Sequence, residues 1–145
     1  ASLRVSRSLA LRAVSCSIAL TRNYPFNGGL MLMPGSQETF VPSVGETPEN
    51  NHASSLKEQT IGVPSEEAIT DLADRYGIDQ FTGDAGSAVW FDANVMHGSG
   101  NNITPFPRSN LFVVFNSVAN TLTEPFAAPT PRPEHLGSRD FAPLS

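Results

Sequence analysis

A single cysteine, Cys16, stands among the 145 residues, which leaves no disulfide framework and no cysteine-based zinc site. Its place inside an apolar run points instead to a reducing cytoplasm. No apolar stretch approaches the ~20 residues that a membrane-spanning helix needs. Basic residues are few: nine Lys plus Arg against fourteen Asp plus Glu give a net charge of −5, with no basic stripe beyond the N-terminus. Nucleic acid is therefore not an expected partner. Proline and glycine, by contrast, are plentiful at twelve and eleven, which favours short strands and many turns over a helical bundle. The length suits one domain with a real core.

Charge is also missing locally. Residues 1–37 carry Arg4, Arg7, Arg12 and Arg22 but no acid, the first being Glu38. An Arg- and Ser-rich start resembles an organellar transit peptide. Because the chain does not begin with Met and shades into a core strand from Val14, a truncated or altered N-terminus is the stronger reading. Residues 1–12 are accordingly set apart as an atypical N-terminal segment, and 13–145 as the domain.

Within that domain, residues 13–21 alternate small or polar with apolar side chains, the period of a half-buried strand. Residues 30–36 predict a second strand, stopped by Pro34-Gly35. Residues 40–64 predict a long surface excursion of the kind that forms lids. One helix is well signalled after it. Ser65 caps, Glu66 and Glu67 favour the positive end of the helix dipole, and Gly77 closes. Ile69, Leu72, Ala73 and Tyr76 have the spacing of one buried face, with Asp71 and Asp74 on the solvated side. Residues 86–92 and 109–118 are rich in β-branched and aromatic side chains and predict strands. Residues 124–145 predict an extended, proline-rich tail. Strands at both ends with a single helix between them do not fit parallel winding. The fold class expected is mainly β: a double-stranded β-helix, or jelly roll, incomplete.

"WFDANVMHGSGNNITPFPRSN" (90–110) places His97 and Arg108 eleven positions apart between two strand-like stretches. Each residue alone has an ordinary explanation. As a pair they are expected on adjacent strands near one rim. Imidazole suits Fe(II), and a guanidinium fork holds a carboxylate in two parallel hydrogen bonds.

The wording of "GGLMLMPGS", "FVPSVGETPENN", "AGSAVWFDANVMHGSGNNITPFPRSN" and "VFNSVANTLTEPFAAPTPRPE" closely resembles the ectoine hydroxylases. These are a subgroup of the phytanoyl-CoA dioxygenase family of iron(II)/2-oxoglutarate oxygenases. The resemblance runs from about Arg12 to about Leu144. It implies a jelly roll holding iron in a two-histidine, one-carboxylate triad, with 2-oxoglutarate as cosubstrate and ectoine as substrate. By the same resemblance His97 is the triad's second histidine and Arg108 binds the far carboxylate of 2-oxoglutarate. Ser99 and Asn110 fall at neighbouring pocket contacts, Phe91 and Phe112 line the cavity or pack in the core, and Ser15 faces the ectoine pocket. A homodimer is compatible with it.

The departures are equally specific. The family's first histidine and carboxylate form a His-x-Asp motif, and none occurs here: the three histidines read "HAS", "HGS" and "HLG". His52 and His135 are read as solvated. Asp92 is the nearest acid to His97, but spacing alone does not make it converge. Gln37 and Glu38 stand where relatives carry a histidine and a basic residue. Three readings follow: a C-terminal piece, or an altered version, of an ectoine hydroxylase, with 13–145 as the C-terminal part of the oxygenase jelly roll and half of the iron site lacking; a related oxygenase of another small solute; and a jelly-roll binding module that has lost the metal.

Overall fold

A computed structural model describes residues 12–42, 44–45, 63–121, 130–131, 133–135, 137–140 and 142–144. His52, most of the 40–64 excursion, the segment 1–11 and parts of the tail lie outside these residues. The ends of the excursion are tied together, Val44 N–H donating to the Val63 carbonyl at 2.7 Å.

Six strands and one α-helix follow in the order β1 (Ala13–Ala19), β2 (Leu30–Leu32), α1 (Glu66–Tyr76), β3 (Asp79–Gln80), β4 (Ala88–Asp92), β5 (His97–Ser99) and β6 (Asn110–Asn116). A 3-10 turn, Ser36–Glu38, separates β2 from the excursion. The strands form two antiparallel three-stranded sheets, β4-β1-β6 and β3-β2-β5. The chain passes from one sheet to the other at every strand-to-strand step except β2 to β3, which α1 joins within one sheet, and two chain crossings close one end. Jelly rolls commonly use eight strands; six are seen among the described residues, with β5 and β6 as edges on one flank. No helix among the described residues is long and apolar enough to cross a membrane.

Strand register fixes which face looks inward. The core joins Leu30, Leu32 and Val95 with Phe81, Val89 and Phe91. Phe91 pairs with Ser15 and Val89 with Ser17, and directly paired residues share a face. The inner face of β1 is therefore the small one: Ala13, Ser15, Ser17 and Ala19. Val14, Cys16 and Ile18 look outward with Trp90 and Phe115, whose rings stack at 5.7 Å.

Helix α1 begins and ends as its sequence dictates. Ser65 Oγ accepts from Ala68 N–H at 3.2 Å, and Gly77 closes the helix at φ 70°. Its buried face is narrower than expected. Leu72 is 3% exposed, but Ile69 is 38% exposed, which corrects its assignment to the buried face. The reason is where the helix docks. Tyr76 Oη shares a 2.9 Å hydrogen bond with Thr39 Oγ1, and its ring lies where a side chain on Gly35 would be, 2.8 Å from an added Cβ. Contact is concentrated on the last turns, and Ile69 falls short of it.

Candidate functional site

His97 was expected to end the strand that carries Phe91 and Asp92. Instead the chain turns at residues 93–95 and His97 opens a strand of its own in the other sheet. Arg108 precedes β6 in the sheet of β1. The pair thus lies on opposing sheets rather than on adjacent strands. Backbone pairing causes this: "HGS" has little β-propensity of its own but is held against β2, with Leu32 opposite His97 and Leu30 opposite Ser99. Leu30 and Leu32 are core residues, so His97 and Ser99 also face inward. Both are exposed because β5 is an edge.

The imidazole is oriented at both sides. Nδ1 lies 2.7 Å from the Val95 carbonyl, and the ring sits 5.5 Å from that of Phe91 at 57°. A proton on Nδ1 donated to that carbonyl leaves Nε2 with its lone pair free, the tautomer a metal-binding histidine needs.

On the opposite wall, Asn110, Phe112 and Val114 pair with Ala19, Ser17 and Ser15 and share their inner face. Arg108 enters two residues earlier. Its Nε is buried with no hydrogen-bond partner, as are both amide atoms of Asn110. No acid pairs with Arg108 among the described residues. Arg108 is half-buried, and a buried N–H donor with no partner beside an unpaired positive charge suits an oxygen-bearing anion. Phe112 lies on the inner face yet is 52% exposed, so it borders the opening rather than packing in the core.

Two chain crossings seal this end. Residues 20–29 carry the chain from β1 to β2, and residues 100–109 carry it from β5 to β6. They lie back to back: a Cβ on Gly28, at φ 76°, would come within 2.5 Å of the Gly100 carbonyl oxygen. Thr21 Oγ1 donates to the Pro107 carbonyl at 3.0 Å and accepts from Ser109 N–H at 2.9 Å. The Asn102 amide fixes the second crossing through Thr104 and Phe106. Tyr24, Phe26 and Phe106 stack over the outside, with centroids 5.0–5.8 Å apart.

Of the seven residues singled out from the sequence, Ser15, Phe91, Asn110 and Phe112 lie on one sheet, His97 and Ser99 on the other, and Arg108 in the crossing just before β6. The other candidates do not join them. Asp92 Oδ1 accepts from the backbone and side-chain amides of Asn94 at 2.9 and 3.1 Å, and the residue alternates away from Phe91. It is a turn-former and no iron ligand. His135 is exposed in the tail. Gln37 Oε1 accepts from Gly35 N–H at 3.0 Å, and Glu38 is exposed. Among the described residues no group of three His, Cys, Asp or Glu could hold a metal. His97 fits as one iron ligand, and those residues do not complete the site.

Sequence reasoning missed Ser17 and Asn23, which are buried with unpartnered polar atoms. The signal available was the Ala/Ser-only parity of β1, once that face is known to be the inner one. A cavity of about 470 Å³ is lined by Leu32, Phe81, Val89, Phe91 and Val95 among others. It lies on the β3/β4 side and touches neither His97 nor Arg108. The unpaired cation, rather than that cavity, marks the candidate site.

Comparison with known proteins identifies the family. An ectoine dioxygenase of Nocardia farcinica is 73% identical over 135 residues, covering 93% of this chain and 45% of that protein. One of Streptomyces avermitilis is 63% identical over 134 residues, covering 92% and 45%. The crystal structure of EctD from S. alaskensis with 2-oxoglutarate and 5-hydroxyectoine superimposes with a TM-score of 0.72 at 44% identity, covering 89% of this chain and 39% of that one. The same protein with bound Fe gives 0.72 at 41% identity, covering 92% and 41%. The chain therefore spans less than half the length of these relatives. A family model, phytanoyl-CoA dioxygenase (PhyH), matches residues 6–110. With most of its length matched to that model and relatives of up to 73% identity among the ectoine dioxygenases, this chain belongs to the phytanoyl-CoA dioxygenase family.

Proposed function

We propose that the protein takes part in the oxidative hydroxylation of ectoine, in which ectoine, 2-oxoglutarate and O2 give 5-hydroxyectoine, succinate and CO2. The observation that carries this reading is the unpaired Arg108 guanidinium on one inner wall, facing a sheet whose edge presents His97 with its Nδ1 engaged. A keto diacid has one group for each: a far carboxylate for the arginine fork and a chelating end for a metal on the imidazole. Relatives named as ectoine dioxygenases, and one solved with the keto acid and the hydroxylated product, support the same chemistry.

In this reading Arg108 and Asn110 hold the far carboxylate, Ser99 supports it from β5, and Phe91 keeps the imidazole upright. Ser15, with Phe91 and Phe112 at the opening, faces ectoine. Iron, when bound, supplies the oxidising chemistry. With one imidazole as the ligand present among the described residues, no step is derived through the metal. The reading also carries a cytoplasmic location and a homodimer, with no membrane or nucleic-acid partner.

The incomplete metal set favours a second reading, a carboxylate-binding jelly-roll module without oxygenase activity. Incubation with ectoine, Fe(II), 2-oxoglutarate and O2 separates the two. Hydroxyectoine formed in step with succinate supports the oxygenase. Binding of 2-oxoglutarate without turnover supports the module, and succinate without hydroxyectoine points to a different substrate.

A further inference from the structure

Strand β6 is paired with β1 along all seven of its residues, and among the described residues no strand lies on its other side. Natural sheets keep such edges short or mark them with charge or proline. The other edges here follow that rule: β3 and β5 have two and three residues, and β4 ends in Asp92. The β6 edge does not. Residues 109–123 contain no charged side chain and no proline. Leu111, Phe112, Val114 and Phe115, spread over both faces of the strand, are 40–62% exposed.

The backbone settles which groups that edge offers. Leu20 N–H donates to the Ser109 carbonyl and Ser117 N–H to the Arg12 carbonyl, so the odd-numbered residues of β6 bond to β1. Asn110, Phe112, Val114 and Asn116 therefore turn their N–H and C=O groups outward. The side chains are arranged to meet their own kind. "NLFVVFN" reads nearly the same in both directions about Val113. An antiparallel second copy sets Val113 against Val113, Phe112 against Val114, Leu111 against Phe115 and Asn110 against Asn116. Every apolar side chain then meets an apolar one and no like charges are opposed. The four outward-turned residues of each copy match in about eight backbone hydrogen bonds. The same patch serves both copies, so the contact closes at two. The four exposed side chains supply roughly 350 Å² per copy, less than the ~800 Å² per partner of a standard interface, which makes the pairing reversible and dependent on concentration.

We propose that the β6 edge is an interaction surface for a second copy of this chain, the two strands pairing antiparallel about Val113 so that both β4-β1-β6 sheets merge into one. The proposed function carries a homodimer without a surface; this surface does not depend on the oxygenase chemistry, and its failure leaves that chemistry untouched. Sedimentation velocity over a range of concentrations compares the protein with its Val113→Lys, Val113→Glu and Val114→Pro variants. The first two place like charges directly opposite at the axis, and the proline removes one outward N–H where an edge strand tolerates its loss. The unsubstituted protein should rise from the 15.5 kDa of one chain to twice that mass. Each variant alone should dimerise about tenfold or more weakly, and a mixture of the Lys and Glu variants should regain the dimer. Val113 is half-buried, so Val114→Pro decides if circular dichroism shows the charged variants unfolded. Amide exchange on the unsubstituted protein needs no variant: protection of the Phe112 and Val114 N–H groups should grow with concentration. A monomer at every concentration, with those amides either open or covered by another segment of the chain, overturns the proposal. So do a dimer indifferent to the folded variants and assembly beyond two copies.

Discussion

Replacing Arg108 by lysine keeps the charge and removes the fork. The Nε of Arg108 is buried and unpaired, and the guanidinium presents its donors in the fixed geometry that a carboxylate matches with two parallel bonds. Lysine offers a point charge on a flexible stem. Loss of one charge-assisted hydrogen bond is worth about 1.5–3 kcal/mol, which is roughly a 10- to 150-fold rise in Kd for 2-oxoglutarate. Stability of the ligand-free protein should move the other way or not at all, because no acid pairs with Arg108 among the described residues. Calorimetric titration gives the first quantity and urea unfolding the second. An Arg108→Lys protein that binds within about threefold of the unsubstituted one refutes the fork. One that loses stability in the absence of ligand shows that the arginine has a structural partner instead.

Gly28→Ala forces a Cβ to within 2.5 Å of a backbone oxygen at φ 76°. Both crossings must then shift, with an expected cost of about 1–3 kcal/mol and weakened 2-oxoglutarate binding; unfolding and titration within error of the unsubstituted protein would contradict the packed seam. The hydrogen bond from Thr39, with a further contribution from Arg75, holds the Tyr76 phenol below its usual titration range near 10. Thr39→Val should therefore raise it, as read by tyrosinate absorbance. The sign confines any effect on stability to alkaline conditions: the contribution is present above the unfolded value and is lost as pH falls through the folded one. At neutral pH the ionisation contributes nothing. An unshifted titration would mean that Thr39 does not donate.

Where local chemistry and tertiary packing agree, the elements could be read directly. The alternation of "AVSCSIA", the Pro34-Gly35 stop, the Ser65 cap and the aromatic and β-branched run at Phe112–Phe115 mark β1, β2, α1 and β6 without help. The strands β3 and β5 could not be found in that way. "DQ" and "HGS" carry no β-branched residues, and their extended form comes from pairing with β2. That omission placed His97 on the wrong sheet, since a histidine taken as a strand end has nothing to carry it across the fold. Ile69 was misread for a related reason: periodicity identifies one face of a helix but not how far along it the core reaches. The candidate site residues were legible largely through family resemblance. Ser17 and Asn23 were not, because a serine in a strand and an asparagine in a turn look ordinary until burial leaves them without partners.

A crystal structure of the protein grown with 2-oxoglutarate and Fe(II) tests most directly whether these two walls grip one ligand. The account expects the diacid between the sheets, its far carboxylate on the Arg108 guanidinium and its keto end towards His97. Arg108 and His97 found too far apart for one such molecule to span, or 2-oxoglutarate bound elsewhere, would contradict it.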